Sequence, residues 1–166
     1  MKKYFWISFL LGLISAIFIF IKRFGLQTLV VTNVDWLMTG DWSTHFLGWH
    51  FFRQESWSFP LGQITNFFYP LGSNIGYTDS IPLLALFFKL FASILPGNFQ
   101  YIGIWLLSCF VLQAYFSALL LKRFNLSLVT KIIGVQFFVF SPILLIRVIH
   151  PALCAHWLLL ASLCLY

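Results

Sequence analysis

The chain has 166 residues, of which 61% are hydrophobic, 20% aromatic and only 8% charged. Soluble domains carry about 25% charged residues, so a chain this apolar cannot cover a globule with polar groups, and lipid must form part of its surroundings. The net charge of +6 does not indicate a nucleic-acid partner, because the basic residues stand singly or in pairs at the ends of apolar runs, where they set membrane topology. The cysteines lie in apolar stretches without a CxxC motif, which predicts neither a disulfide framework nor a zinc site.

Residues 4–21 form an uncharged apolar run that is long enough to cross a bilayer. Lys2 and Lys3 precede this run, as in a signal peptide, but no small-residue cleavage site follows its end. We therefore predict an uncleaved signal anchor with a cytoplasmic N-terminus.

Two further spans are predicted over residues 101–121 and 132–147, and Pro142 is expected to kink the second of them. A fourth apolar run, residues 151–166, is too short to cross a bilayer. We expect residues 1–166 to be a single N-terminal transmembrane module of a longer protein.

The apolar stretch over residues 80–95 is short, begins near Pro82 and carries Lys89 in its middle. If it crossed the membrane, the basic turn after the next span would lie outside, against the positive-inside rule. We therefore predict a helix that lies against the outer leaflet. Lys22 and Arg23 remain on the outer side in this topology, which is its one conflict with the rule. The cytoplasmic basic residues are then Lys2, Lys3, Lys122, Arg123 and Lys131.

An outer loop, residues 22–100, follows the first span and holds every acidic residue of the chain. Gly40-Asp41 predicts the start of a juxtamembrane helix over residues 41–54, with Asp41 as its cap. Asp79 or Ser80 is the expected cap of the helix over residues 80–95. Each carboxylate thus has a structural alternative to a chemical role, which is capping for Asp41 and Asp79, solvation for Asp35 and an exposed helix end for Glu55.

The histidines and arginines near the outer face have two interpretations as well. His45 and His50 are either interfacial side chains or ligands, and their spacing with the aspartates is no metal signature. Arg147 and His150 follow the third predicted span and return to the outer face. A guanidinium there either extends to the membrane surface or binds the phosphate of an anionic lipid.

This pattern resembles the GT-C superfamily of membrane glycosyltransferases, which use lipid-linked sugar donors. The resemblance rests on Gly40-Asp41-Trp42 at the start of the loop, on Tyr69-Pro70-Leu71-Gly72, and on the apolar stretch over residues 81–91. The basic turn over residues 120–124 and Ser141-Pro142 are similar too. More narrowly, residues 40–53, the segment His150-Pro151-Ala152-Leu153 and the pair His156-Trp157 look like a bacterial membrane family related to that superfamily.

The resemblance implies an all-α, polytopic membrane protein of the bacterial inner membrane, with a GT-C-like N-terminal module and an outer loop carrying juxtamembrane helices. It implies a polyprenyl-phosphate-linked sugar as donor and an envelope glycan, lipid or protein as acceptor. Asp41 is the expected catalytic base, followed by Asp35 and Asp79. The expected substrate-binding residues are Arg53, His45, His50, Lys89, Arg147 and His150.

Two alternatives to a glycosyltransferase remain open from the sequence, and so does a divalent metal as cofactor. The stretch from Arg147 to Pro151 has no carboxylate where many GT-C enzymes carry a second acidic motif, so such a metal has no evident ligand set. The absence of this second acidic motif also favours a non-catalytic protein of envelope assembly. A transporter ranks last, because the predicted spans carry no charge at mid-bilayer. The oligomeric state is open.

Overall fold

A computed structural model describes residues 2–166, and the protein is mostly helical. Within these residues the helices are α1 (Lys2–Phe24), α2 (Trp42–Phe52), α3 (Pro82–Lys89), α4 (Ile102–Lys122), α5 (Leu128–Val139), α6 (Pro142–Arg147) and α7 (Trp157–Leu165). Two short strands, β1 (Gln63–Ile64) and β2 (Ser73–Asn74), pair antiparallel. Turns of 3₁₀ helix cover Leu26–Leu29, Asp35–Leu37, Ile75–Tyr77 and Pro151–Cys154.

Three apolar segments are long enough to cross a membrane: Tyr4–Phe24, Ile102–Lys122 and Leu128–Arg147, with mean hydropathies of 2.4, 2.0 and 2.0. A helix rises about 1.5 Å per residue, so each segment approaches the thickness of the hydrocarbon core, about 30 Å. This confirms the prediction of a mostly helical protein with segments that could span a membrane. The third segment is interrupted between α5 and α6, just before Pro142, because proline cannot continue the helical hydrogen bonding. The run Pro151–Leu165 is helical and shorter.

The chain forms two compact units. The first, which we call the membrane unit, comprises residues 2–26, 104–148 and 153–166. The second, the loop unit, comprises residues 27–103 and also residues 149–152. A short segment from beyond the third apolar stretch therefore folds with the loop that follows α1.

Small residues bring helices together inside the membrane unit. A Cβ atom built on Gly12 of α1 would lie 2.4 Å from Cγ1 of Val135 on α5 and 3.3 Å from Cβ of Ala114 on α4. Ala16 and Ala118 are buried as well. Such small side chains let helix backbones approach closely, which is a common way of packing helices in lipid.

Trp49 of α2 is the centre of the loop unit's core. Its indole Nε1 donates to Phe99 O at 2.8 Å, and its ring contacts Tyr101 edge-on at a centroid distance of 5.3 Å. The Tyr101 hydroxyl donates to Ser80 O. These bonds satisfy the polar ends of two large buried aromatic side chains and fix α2 against the chain that enters α4.

Helix α3 buries its polar side and exposes an apolar one. Ala85 and Lys89 are buried, whereas Leu83, Phe87, Leu90 and Ile94 of this region are exposed. Leu83 and Phe87 lie four residues apart on one face of α3, and Leu90 and Ile94 follow in the turns after its end. An apolar stripe facing outward is typical of a surface that contacts lipid.

The predicted N-cap position is confirmed for α2, without the expected side-chain bond, and is wrong for α3. Asp41 occupies the N-cap position of α2, but its side chain makes no cap hydrogen bond. Its backbone angles, φ −65° and ψ −22°, are already helical, whereas a capping side chain needs an extended backbone to reach the first N–H groups. At α3 the N-cap is Ile81, followed by Pro82. Neither Asp79 nor Ser80 caps this helix, because both side chains bond elsewhere.

Candidate functional site

Arg53 binds backbone carbonyls with its guanidinium group. Nη1 donates to Pro96 O at 2.5 Å and to Gly97 O at 3.3 Å, while Nη2 donates to Ala92 O at 2.8 Å and to Leu95 O at 2.9 Å. These four carbonyls lie where the chain turns after α3, and Pro96 O also accepts from Phe99 N. A planar fork of donors can bind several such acceptors at once. Partial burial lowers the pKa of Arg53. Its role in this geometry is to hold the segment after α3.

Lys89 also binds backbone carbonyls, at the end of α2 and just after it. It is 5% exposed, and its Nζ donates to Phe52 O at 2.5 Å and Glu55 O at 2.9 Å. The ammonium group also lies 4.0 Å from the centroid of the Phe52 ring. Burial lowers its pKa, and the charge of Glu55 acts in the opposite direction. The sequence predicted Lys89 as a phosphate ligand, and nothing in the geometry tests that assignment.

Glu55 lies beyond the end of α2 and is half-buried, not simply exposed as predicted. Its Oε1 accepts from Thr65 N at 2.8 Å and Asn66 N at 3.1 Å, and both carboxylate oxygens accept from the Thr65 hydroxyl. Partial burial acts to raise its pKa, but these hydrogen bonds and the Lys89 charge together hold the pKa of Glu55 below its ordinary value. The carboxylate fixes the start of the loop after β1.

His45 is 3% exposed and joins two distant segments. Its Nδ1 lies 3.1 Å from Thr78 O, and its Nε2 lies 2.9 Å from Ile149 O. Both ring nitrogens therefore face carbonyl oxygens, and an imidazolium can donate to both while a neutral ring donates to one. His45 is the residue of α2 that holds residues 149–152 in the loop unit.

The position of residues 149–152 in the loop unit brings the side chains of Asp79 and His150 together. Asp79 Oδ1 accepts from Ala152 N at 3.1 Å, and its Oδ2 lies 3.5 Å from His150 Nδ1. His150 is exposed at this pair and Asp79 is half-buried. The sequence named both residues as candidates but gave no sign that they form one pair, since 149–152 follows another span.

The turn that carries Asp79 is strained. Asp79 has φ +53° and Ile81 has φ +50°, and the left-handed region is a strong outlier for a β-branched residue such as Ile81. Strain of this kind costs about 1–3 kcal/mol per residue and is concentrated at functional sites. The turn is held by Ser80, whose hydroxyl donates to His45 O at 2.7 Å.

Gly48 allows this turn to lie directly on α2. A Cβ atom on Gly48 would lie 2.2 Å from Thr78 Oγ1 and 2.7 Å from Ser80 Oγ. Any larger residue would therefore displace the turn. Sequence analysis missed Gly48 and Thr78 and named Ser80 only as a candidate helix cap, because a glycine within a helix and two small hydroxyl residues carry no chemical signal of their own.

Asp41 contrasts with these bonded groups. It follows Gly40, which has φ +55°, and it is exposed. No side chain or backbone group within residues 2–166 forms a hydrogen bond or ion pair with its carboxylate. Asp35 is exposed too, on the 3₁₀ turn Asp35–Leu37. These two carboxylates remain available to a ligand.

Two tryptophans connect Asp41 to the buried histidine. The rings of Trp36 and Trp42 lie 5.3 Å apart, and Trp42 contacts His45 edge-on at 5.7 Å. The Nε1 group of Trp36 is buried without a hydrogen-bond partner among the described residues. An unpaired indole donor is costly to bury.

The remaining candidate residues differ from Asp41, because His50 bonds to another side chain and Arg147 belongs to the membrane unit. His50 pairs with Gln54 at 2.9 Å, and its Nδ1 has no hydrogen-bond partner within residues 2–166. Arg147 is exposed and belongs to the membrane unit. In the described part of the chain, no three His, Cys, Asp or Glu side chains are grouped so that they could hold a metal ion.

Three apolar segments are long enough to cross a membrane, as is typical of integral membrane proteins, and most of the loop unit lies between the first two of them in the sequence. Residues 11–166 match the family described as domain of unknown function (DUF6311), and the chain belongs to that family. No curated protein and no solved structure matches the chain.

Proposed function

We propose that the protein is a membrane glycosyltransferase that takes a sugar from a polyprenyl-phosphate donor at the outer face of a bacterial inner membrane. The observation that carries the proposal is the carboxylate of Asp41, exposed and unbonded within the described chain. Every other acidic group except Asp35 is used in a bond to the protein. An uncommitted carboxylate next to tryptophans is what sugar chemistry requires.

The proposed step is a displacement at the anomeric carbon of the sugar. The acceptor hydroxyl attacks C1 and gives its proton to Asp41, while the C1–O bond to the lipid phosphate breaks and the phosphate leaves with the electron pair. Asp41 acts as general base, a contribution of about 10²–10⁴ in rate. The exposed Asp35 would bind a sugar hydroxyl near it.

The tryptophan pair supports a sugar as the ligand. Trp42 follows Asp41 directly in the chain, and its ring and that of Trp36 lie 5.3 Å apart, so the pair forms an aromatic cluster. A sugar ring presents C–H groups to aromatic faces and hydroxyl oxygens to donors. The exposed apolar stripe on α3 would hold the loop unit against the lipid, and a lipid-linked donor lies at that depth.

Asp79 and His150 are proposed as a second polar contact for the substrate. Their side chains meet on a strained turn, and His150 is exposed. Arg147 keeps its predicted role as a ligand of the leaving phosphate, because an exposed guanidinium suits that anion.

The test is transfer of radiolabelled hexose from a polyprenyl-phosphate donor into envelope material. Membranes that contain the full-length protein are compared with membranes from a deletion strain. Label that leaves the lipid fraction only when the protein is present supports the proposal. Equal transfer in both membranes contradicts it.

A non-catalytic role in envelope assembly is the second candidate. Arg53, Lys89 and His45, three of the expected substrate ligands, direct their polar atoms to backbone carbonyls, which favours a purely structural loop. Under this alternative, a chain with both Asp41 and Asp35 replaced by asparagine restores a deletion strain fully. Under the transferase proposal it does not.

A further inference from the structure

A groove opens in the membrane unit where the end of α1 lies beside α6. It has a cavity volume of about 490 Å³ and is lined by Ile19, Lys22, Arg23, Leu145 and Ile146. Small-molecule sites in proteins have volumes of about 300–1,000 Å³. Three of the lining residues are aliphatic and two are cationic, so the groove has an apolar wall and a positive end.

The two cations have no counter-ion in their own unit. All four acidic residues of the chain, Asp35, Asp41, Glu55 and Asp79, lie in the loop unit. Lys22 and Arg23 are exposed, and the Lys22 ammonium lies 5.9 Å from the centroid of the Phe18 ring. This contact orients the Lys22 side chain weakly and leaves its charge unpaired. An anion that neutralises the pair must therefore come from outside the membrane unit.

The expected position of the groove within the bilayer indicates which anion it binds. Lys22 and Arg23 form the last turn of a helix whose apolar segment, Tyr4–Phe24, is long enough to cross the bilayer. Basic residues at the end of such a segment lie at the level of lipid phosphates, while the preceding turns lie among acyl chains. The groove has the same order, with Ile19 one turn further inside than Arg23.

We propose that this groove binds an anionic phospholipid of the bilayer, with the phosphate on Lys22 and Arg23 and an acyl chain along Ile19, Leu145 and Ile146. A bound anionic lipid would explain why Lys22 and Arg23 stand on the outer side in the predicted topology, where the positive-inside rule disfavours them. A bound lipid would also link α1 to α6 next to the break at Pro142. The site does not depend on a glycosyltransferase activity.

The experiment is native mass spectrometry of the full-length protein in detergent, titrated with dioleoyl phosphatidylglycerol, dioleoyl phosphatidylcholine or undecaprenyl phosphate. We expect phosphatidylglycerol to bind at least tenfold more tightly than phosphatidylcholine. The variant Lys22→Gln/Arg23→Gln is expected to lose about ten- to thirtyfold in affinity for phosphatidylglycerol, and the charge-preserving Lys22→Arg/Arg23→Lys to lose little.

A matched pair on α6 separates the groove from general attraction to a charged surface. Ile146→Trp fills the groove and should weaken phosphatidylglycerol binding tenfold or more, although both cations remain. Ile143→Trp changes an exposed residue of the same helix that does not line the groove, and should leave binding unchanged. Equal binding by these two variants, equal binding of the two phospholipids, or tight binding of undecaprenyl phosphate alone would overturn the proposal.

Discussion

The imidazole Nε2 of His45 lies 2.9 Å from the backbone carbonyl of Ile149, a residue 104 positions further along the chain. Through this contact α2, which follows the first apolar segment in the sequence, holds residues 149–152, which follow the third apolar segment. The same segment carries His150 and Ala152 to Asp79. His45 is therefore the main polar link that makes residues 149–152 part of the loop unit.

Replacement of His45 is expected to release residues 149–152. His45→Leu removes both polar ring atoms and leaves Ile149 O without its imidazole partner, at a cost of about 1–3 kcal/mol. The thermal unfolding temperature in detergent should fall by several degrees, and deuterium uptake at 149–152 should rise. His50→Gln is the control, since His50 contacts only its own helix and the adjacent chain. Unchanged deuterium uptake in His45→Leu would contradict this function of His45.

Gly48→Ala is expected to destabilise the loop unit although alanine favours helices. Its Cβ would lie 2.2 Å from Thr78 Oγ1, an atom held by hydrogen bonds to Ile75 O and Ser80 Oγ. Overpacking of this kind costs about 1–3 kcal/mol. Gly97→Ala is the matched control, because nothing lies within 4 Å of its Cβ position. Equal unfolding temperatures for the two variants would show that the turn over residues 78–80 yields easily.

Arg53→Lys should lower stability because a single ammonium group cannot reach all four carbonyls that the guanidinium binds. We expect a loss of about 1–3 kcal/mol in the free energy of unfolding. Arg147→Lys, a change at an exposed arginine, should leave the unfolding temperature unchanged. A stable Arg53→Lys protein would remove the structural role of Arg53 and favour its predicted role as a substrate ligand.

The apolar segments were predictable from sequence because hydropathy follows directly from composition along the chain. The partners of Arg53 and Lys89 were not, since their acceptors are backbone carbonyls that any sequence provides. The pair Asp79–His150 was also hidden, because residues 149–152 join the loop unit only in three dimensions. The expected cap hydrogen bond of the Asp41 side chain does not form for a local reason. Gly40 lets the chain enter α2 with helical backbone angles already at Asp41.

Glu55 should make stability depend on pH in the acidic range. Its pKa is lower in the folded protein, so its contribution is present at neutral pH and is lost as the pH falls through the folded pKa. Glu55→Gln should therefore unfold at a lower temperature than the wild type at pH 7, and this difference should shrink between about pH 5 and pH 3.

Thr65→Val provides the comparison for Glu55, because it removes the hydroxyl donor and keeps the backbone donors of Thr65 and Asn66. It should lower the unfolding temperature by less than Glu55→Gln at pH 7. A difference between Glu55→Gln and wild type that is constant with pH would rule out the ionised carboxylate as its source.

The rate of hexose transfer by Asp41→Asn tests the proposed function most directly. The side chain forms no bond within residues 2–166, so the variant should keep the wild-type unfolding temperature. Loss of the base should slow transfer from the polyprenyl-phosphate donor by about 10²–10⁴, while Asp41→Glu should retain part of the rate. A folded Asp41→Asn protein that transfers hexose at the wild-type rate would contradict the assignment of Asp41 as the catalytic base.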